Sequence, residues 1–150
     1  MNDRVPTVFV VDDDEPVRDA IGMLLDSVDI PYESFASAHE FLARYQDGHP
    51  GCLVLDIRMP GMSGLELQEH LRRMRAPIPI VFITGHGEIP MAVEAMKRGA
   101  IDFIRKPFRD QELLDRIQEA LGQDRGQRAD LEQLREIQAR VDTLTPRERE

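Results

Sequence analysis

The chain has 150 residues, of which 41% are hydrophobic, and a formal net charge of -9. That is enough for one ordinary domain with a core and a short additional segment. The acidic balance argues against this stretch binding nucleic acid by itself, because phosphate contacts need a basic surface. Cys52 is the single cysteine and has no disulfide partner, so we expect a reducing compartment. No apolar stretch approaches the ~20 residues that span a bilayer and no signal peptide is recognisable, so we expect a cytoplasmic protein.

The first half of the chain is typical of two strand and helix pairs. An apolar strand is predicted at residues 8–11, and the helix after it has Pro16 near its start, where a missing N–H costs nothing. A weaker strand is predicted at residues 32–36. Ser37 and Glu40 follow it with the spacing of a capping box, which indicates the start of the second helix.

Two further pairs follow in the second half. The strand predicted at residues 52–55 leads through a Pro-Gly turn to a capping box of Ser63 and Glu66, where the third helix begins. The strand predicted at residues 80–83 precedes a helix over residues 90–98. We expect this helix to be easily displaced, because its core anchors are few. They are chiefly Val93 and Met96.

A last strand is predicted at residues 101–104, and the helix after it carries Leu113, Leu114, Ile117 and Leu121 at helical spacing. The alternating elements predict an α/β fold, a doubly wound five-stranded parallel sheet with helices on both faces, because βα units connect through right-handed crossovers. Periodicity alone leaves the strand order open.

Residues suited to phosphate and metal chemistry stand at the strand ends. Ligands of open α/β sheets bind beyond the carboxyl ends of the strands, so we expect Asp12, Asp13, Asp56, Thr84 and Lys106 to form one site. Neighbouring carboxylates repel by about 4 kcal/mol per pair at the effective dielectric near a protein surface. Such a pocket demands a cation, and hard oxygen ligands with room for water favour Mg²⁺. Asp56, alone at its strand end, is the predicted nucleophile toward phosphorus.

Four motifs together resemble a known family. The sequences VVDD, LDIRMPG, ITG and KP occur here in the order and spacing of the receiver domain of two-component response regulators. The resemblance covers about residues 5–121. It implies a flavodoxin-like sheet of strand order 2-1-3-4-5, in which the two acid-bearing strands lie side by side.

The resemblance also implies residue roles. Asp13, Asp56, the backbone carbonyl of Arg58 and, often through water, Asp12 would hold Mg²⁺, for which Mn²⁺ is an alternative. Asp56 would be the phosphoacceptor. Lys106 would place its positive charge on the phosphoryl oxygens, where the hydroxyl of a threonine, Thr84, would also donate a hydrogen bond.

A conformational switch is implied as well. The hydroxyl of Thr84 would move toward the phosphoryl group, and Phe103, where many relatives carry Tyr, would swing inward. The peptide bond between Lys106 and Pro107 is expected to be cis. A dimer face would form on the fourth helix and fifth strand after phosphorylation. Its candidates are Ile89, Met91, Val93, Met96, Lys97, Arg98, Ile101 and Arg105.

Arg58 and His86 each follow a site residue by two positions. They are candidates for flanking the path of a hydrolytic water and so for tuning dephosphorylation, although ordinary exposed loop residues would look the same. His39, His49 and His70 lack ligand spacing, so we expect surface groups and no zinc site.

The composition changes after residue 121. Residues 122–143 form a predicted helical linker, whose apolar stripe suits either a coiled-coil dimer or packing on the chain's own domain. The stripe consists of Leu131, Leu134, Ile137, Val141 and Leu144. Residues 144–150 have a helix-start pattern with Thr145 as N-cap, and they resemble the opening of a LuxR-type helix-turn-helix domain in the NarL/FixJ group. The receiver sequence itself resembles the FixJ subgroup.

We therefore expect a receiver phosphorylated by a sensor histidine kinase, dimerising on phosphorylation and controlling transcription through a DNA-binding domain missing from this chain. It would phosphorylate itself with Mg²⁺ and slowly lose the phosphate, without being a true enzyme. The alternative is a stand-alone receiver or phosphorelay module acting through protein contacts. A haloacid dehalogenase-type phosphatase resembles a different pattern, with the nucleophile and a second acid two residues later on the first strand and an inserted cap. A Rossmann nucleotide module needs a G-x-G-x-x-G sequence after the first strand, which is absent here.

Overall fold

Strands and helices alternate through the computed structural model, which describes residues 4–85 and 87–148, with side chains up to residue 140. Over these residues the chain forms five strands and five helices. Their bounds are β1 Thr7–Val11, α1 Glu15–Ser27, β2 Tyr32–Phe35, α2 Ala38–Arg44, β3 Gly51–Asp56, α3 Gly64–Arg73, β4 Ile80–Thr84, α4 Ile89–Lys97, β5 Asp102–Arg105 and α5 Asp110–Glu148. Each predicted element is confirmed within one or two residues, except at the end of α5.

All strand pairs are parallel, and the strand order is β2-β1-β3-β4-β5. The predicted fold class and order are therefore confirmed. The order reverses between β1 and β3, and parallel sheets of this kind bind ligands where it does so. In register, Val11 of β1 lies beside Leu55 of β3, so the residues just beyond these two positions face the same edge.

The sheet separates two apolar clusters. Alternate residues of a strand point to opposite faces, so Phe9 of β1 joins the cluster with α2, α3 and α4, whereas Val10 joins the cluster with α1 and α5. The central strands β1, β3 and β4 are buried along their whole length. A sheet covered on both faces explains why these strands are continuous apolar runs in the sequence.

The two predicted capping boxes differ in the structure. At α3 the box is complete, since the Ser63 hydroxyl accepts the Glu66 N–H and the Glu66 carboxylate accepts the Ser63 N–H. At α2 the Ser37 hydroxyl accepts the Glu40 N–H at 3.1 Å, but the Glu40 carboxylate accepts from Ala36 instead. The second helix thus begins as predicted with only half of the predicted box.

Helix α4 docks through different residues from those predicted. Val93 and Met96 are 45% and 37% exposed, whereas Ala92 and Ala95 are fully buried against the sheet. The prediction that Val93 and Met96 anchor this helix is wrong. Alanine is small and lets the helix backbone approach the sheet closely, so the larger apolar side chains occupy the outer face.

Helix α5 continues through the predicted linker as one element of 39 residues. It runs past Thr145 to Glu148, so the new helix predicted to begin there is not separate from α5 in this structure. Leu131, Leu134 and Ile137 are 44–61% exposed, which excludes packing of these three residues on the chain's own core. No helix among the described residues is long and apolar enough to cross a membrane.

Candidate metal and phosphoryl site

Three carboxylates meet at the carboxyl edge of the sheet. Ligand oxygens of Asp12, Asp13 and Asp56 all lie within 4.8 Å of one another, with Asp12 and Asp56 buried and Asp13 exposed. Strand pairing produces this arrangement, because Asp12 directly follows β1 and Asp56 ends the neighbouring β3. The sequence-based expectation of a single acidic cluster at the strand ends is met.

Thr84 and Lys106 come to the same edge from the other side. Thr84 ends β4, which pairs with β3, and its register partner Arg105 directly precedes Lys106. The Lys106 ammonium lies 3.1 Å from Asp12 Oδ2 and 3.7 Å from Asp56 Oδ1. The peptide bond between Lys106 and Pro107 is cis, as the resemblance led us to expect.

The electrostatics of the cluster favour a cation. Burial raises the pKa of Asp56 to about 7, with a further contribution from the charge of Asp12, while Lys106 opposes the shift. Burial alone would lower the pKa of Lys106, but Asp12 and Asp56 outweigh it and raise that pKa. One ammonium therefore does not compensate the acids, because the Asp56 pKa stays high beside it.

Asp12 has an oxygen that fits a metal ligand. Its Oδ1 accepts the Asp14 N–H at 2.9 Å, and its backbone carbonyl accepts from Arg18 at 2.7 Å. Its Oδ2 is buried and has no well-aligned hydrogen-bond donor among the described residues, although the Lys106 ammonium is near it. A buried carboxylate oxygen is costly without a strong partner, so the donor set suits a hard divalent ion in the way the sequence predicted.

The turn after β3 folds the chain back beside Asp56. Gly61 has a φ of 77°, which suits glycine, and it folds the chain back toward α3. At Gly64 a side chain would overlap the Asp56 backbone oxygen, so α3 begins in direct contact with the end of β3. The predicted Pro-Gly turn therefore also fixes the backbone of Asp56.

The hydroxyl of Thr84 is also without a partner. Thr84 is fully buried, and its Oγ1 has no hydrogen bond among the described residues. Phe103 is partly buried, packs against the cluster with α2, α3 and α4, and is the register partner of Phe82, two residues before Thr84. A buried hydroxyl without a partner gains from moving toward any acceptor that arrives at the strand ends.

The Arg58 side chain contacts an acidic residue that the sequence analysis missed. Its guanidinium lies 3.5 Å from Glu88 and 3.8 Å from the sulfur of Met91. Glu88 also accepts the Gly85 N–H, just after Thr84. An acidic residue before Pro90 at the start of a helix was the available signal, because such positions favour carboxylates. His86, the other predicted tuning residue, lies outside the described residues.

The predicted dimer-face residues are distributed over α4 and the edge strand β5. Val93, Met96, Lys97, Arg98 and Arg105 are exposed, whereas Ile89, Met91 and Ile101 are partly buried. Of the three other histidines, His39 and His70 are exposed as expected. His49 is instead partly buried, where its ring lies 3.1 Å from the Thr7 hydroxyl and against Phe9, so it has a structural role.

The fold and site together define a class: a doubly wound α/β domain with an acidic, lysine-flanked site at its switch point. The pattern of the family described as "Response regulator receiver domain" matches residues 8–118. The chain belongs to this receiver family, and the predicted resemblance is confirmed.

Several relatives have printed names. The chain is 43% identical over its whole length to the response regulator protein TodT of Pseudomonas putida, of which it covers 66%. It is 45% identical over 144 residues to the transcriptional regulatory protein FixJ of Rhizobium meliloti, covering 96% of this chain and 71% of FixJ. Among solved structures, the response regulator StyR is similar, with a TM-score of 0.81, 51% identity, and coverage of 94% and 69% of the two chains. The chain thus spans about two thirds of the length of the curated relatives that it matches.

Proposed function

We propose that this chain is the phosphorylated receiver of a two-component response regulator, with Asp56 as phosphoacceptor and a sensor histidine kinase as donor. The meeting of Asp12, Asp13, Asp56 and Lys106 within one pocket carries the proposal. Family membership supports the proposal, because receivers of transcriptional regulators are phosphorylated by partner histidine kinases.

Asp12, Asp13, Asp56 and the backbone carbonyl of Arg58 would hold Mg²⁺, or Mn²⁺ in its place. The ion would neutralise the carboxylates and the phosphoryl oxygens. The buried Oδ2 of Asp12 and the raised pKa of Asp56 support this assignment, since both report negative charge that the described side chains leave uncompensated.

The Asp56 carboxylate would attack the phosphorus of a phosphohistidine. A bond forms between a carboxylate oxygen and phosphorus, the phosphorus–nitrogen bond breaks, and the electron pair leaves with the imidazole, which takes up a proton. Lys106 would stabilise charge on the transferring oxygens, and the Thr84 hydroxyl would donate to one of them. The product is an acyl phosphate, which water hydrolyses slowly, with Arg58 and His86 as candidates for tuning that step.

The output would be a switch in β4, β5 and the neighbouring helix α4. Movement of Thr84 would release space for Phe103 and shift α4, whose fully buried side chains are the small Ala92 and Ala95. The exposed residues of α4 and β5 would then form a homodimer face. Residues 1–121 would act as receiver, residues 122–143 as linker, and residues 144–150 as the start of a DNA-binding domain that controls transcription.

Intact-mass analysis after incubation with acetyl phosphate and Mg²⁺ tests the proposal. Wild type should gain the mass of one phosphoryl group, and Asp56→Asn should gain none. Asp130→Asn makes the same chemical change at an exposed position of α5 and should behave as wild type. An unmodified wild type, or an equally modified Asp56→Asn, would contradict the nucleophile assignment for this donor.

Beryllium fluoride with Mg²⁺ tests the dimer separately. Sedimentation should show a larger species in wild type and no change in Asp56→Asn. Unchanged sedimentation of wild type, in a sample that mass analysis shows can be phosphorylated, would contradict the proposed dimer alone.

A further inference from the structure

A buried carboxylate lies far from the acidic site, at the amino end of the sheet. Asp124 of α5 is only 2% exposed. Its Oδ2 accepts the Gly51 N–H at 2.9 Å and the Arg128 Nε–H at 2.8 Å. Gly51 is the first residue of β3, the strand that ends at Asp56. The helix is thereby bonded to the central strand of the sheet across 73 positions of sequence.

Arg128 completes this arrangement. While its Nε donates to Asp124, its two terminal nitrogens donate to the backbone oxygens of Gly48 at 2.8 Å and His49 at 2.9 Å. The planar guanidinium uses its fork of donors to tie one turn of helix to the loop between α2 and β3. All these groups are partly or fully buried, where charge-assisted hydrogen bonds are strongest.

The same helical turns contain the two glycines of α5. Gly122 and Gly126 stand on either side of Asp124, and each costs about 1 kcal/mol relative to alanine in a helix interior. Neither glycine is required sterically. A side chain at 122 would make only ordinary contact with Arg125, and one at 126 would meet open space. Side-chain bonds to the receiver are thus concentrated where two glycines weaken the helix.

Beyond this point the helix has left the core. Ala120 is fully buried, but Leu131, Leu134 and Ile137 are all largely exposed. Arg128 therefore bonds to the receiver seven residues beyond the predicted boundary at residue 121. We propose that Asp124 and Arg128 form a clamp that makes residues 122–128 part of the receiver and fixes the direction in which the rest of α5 leaves it. Without the clamp, the helix would bend at Gly122 and Gly126.

Distance measurements between two spin labels test this proposal on the full chain. Met23→Cys on α1 places one label at an exposed position of the receiver. Glu136→Cys places the other at an exposed position of the part of α5 beyond Arg128, here called the arm. Cys52 can remain, because it is fully buried and burial raises the pKa of its thiol to about 12, so it does not compete for the label. With the clamp intact, we expect a narrow distribution of distances.

Arg128→Gln should roughly double the width of that distribution, because it removes both the charge and the forked donor. Arg135→Gln makes the same change at an exposed position seven residues beyond Arg128. This control should leave the width of the distribution unchanged. A circular dichroism spectrum of each variant confirms that the receiver is folded. A broad distribution in wild type, or equal widths in the two variants, would overturn the proposal.

Two further substitutions test where α5 bends when the clamp is removed. Adding Gly122→Ala and Gly126→Ala to Arg128→Gln strengthens the helix without restoring any bond to the receiver. The distribution should narrow again if the arm bends at the glycines. If it stays as broad as in Arg128→Gln, the helix does not bend there, and that part of the proposal is wrong.

Discussion

Two buried aspartates occupy opposite ends of β3 and differ in how they are satisfied. One carboxylate oxygen of Asp124 accepts hydrogen bonds from a backbone N–H and from an arginine. The same arginine donates to two backbone carbonyls. Asp56 faces two other acids and one lysine, and its pKa is raised to about 7. The chain can therefore build a compensated buried carboxylate, and it leaves the other uncompensated where an ion and a phosphoryl group would enter. Unsatisfied charge marks the reactive end of the strand, and satisfied charge marks the structural end.

The largest effect is expected at the Asp124 end of β3. Asp124→Ala leaves the Gly51 N–H and the Arg128 guanidinium without their partner, so we expect the free energy of unfolding in urea to fall by about 3 kcal/mol. Asp124→Asn keeps a neutral acceptor and should lose about half as much. A loss below roughly 0.5 kcal/mol for Asp124→Ala, the range of an ordinary surface change, would show that the clamp contributes little.

Metal binding at the Asp56 end of β3 should supply the compensating positive charge that Arg128 supplies at the Asp124 end. At a Mg²⁺ concentration of about 100 times the dissociation constant, the folded state gains about 2.7 kcal/mol. Thermal unfolding with and without chelator measures this gain. Asp13→Asn removes one exposed ligand and should abolish most of it, whereas Asp130→Asn should keep it. Equal gains in all three proteins would place the ion elsewhere.

Without metal, the free energy of unfolding should decrease as pH rises, because of Asp56. Because its folded pKa lies above the unfolded value of 3.8, the folded state keeps a proton that the unfolded state has lost, so stability without metal decreases as pH rises from about 4 to about 7. The full shift would correspond to about 4 kcal/mol, which we reduce to about 2 kcal/mol for screening by solvent.

Asp56→Asn removes this charge, so its stability relative to wild type should increase over the same pH range. Urea unfolding in chelator at several pH values gives the difference between the two curves. Parallel curves would contradict the assignment of the raised pKa to Asp56.

The smallest effect is expected at Thr84. Thr84→Val replaces a buried hydroxyl that has no partner in the described structure with a methyl group, so stability should change by less than about 1 kcal/mol. The beryllium fluoride response should nevertheless weaken, because valine cannot donate to the new acceptor. A large loss of stability would show that the hydroxyl has a partner in solution, and an unchanged response would separate Thr84 from the switch.

Much of the reactive end was predictable because it depends on local pattern. Asp12, Asp13, Asp56 and Thr84 stand at the ends of apolar runs, and parallel strands bring such ends to one edge whatever the details of packing. The position of Lys106 was predictable by the same rule, because this residue follows the last strand. The capping boxes were predictable for a similar reason, since a cap involves residues only three positions apart.

The structural end and the α4 surface were not predictable in this way. Ala92 and Ala95 carry a weak apolar signal, so periodicity assigned the inner face of α4 to the larger Val93 and Met96. Glu88 and Arg58 are thirty positions apart, and only the placement of the loops brings them together.

The sequence by itself determined the order of elements, the sheet type and the identity of the strand-end residues, because hydrophobic period and turn chemistry are local properties. Only the tertiary structure decided that Asp124 is buried against Gly51 and that Arg128 bonds to the loop before β3. In the sequence these are two charged residues of a polar helix, typical of a solvated face. Their partners are a backbone N–H and two carbonyls, which have no residue-specific signature and become available only where the packed sheet ends.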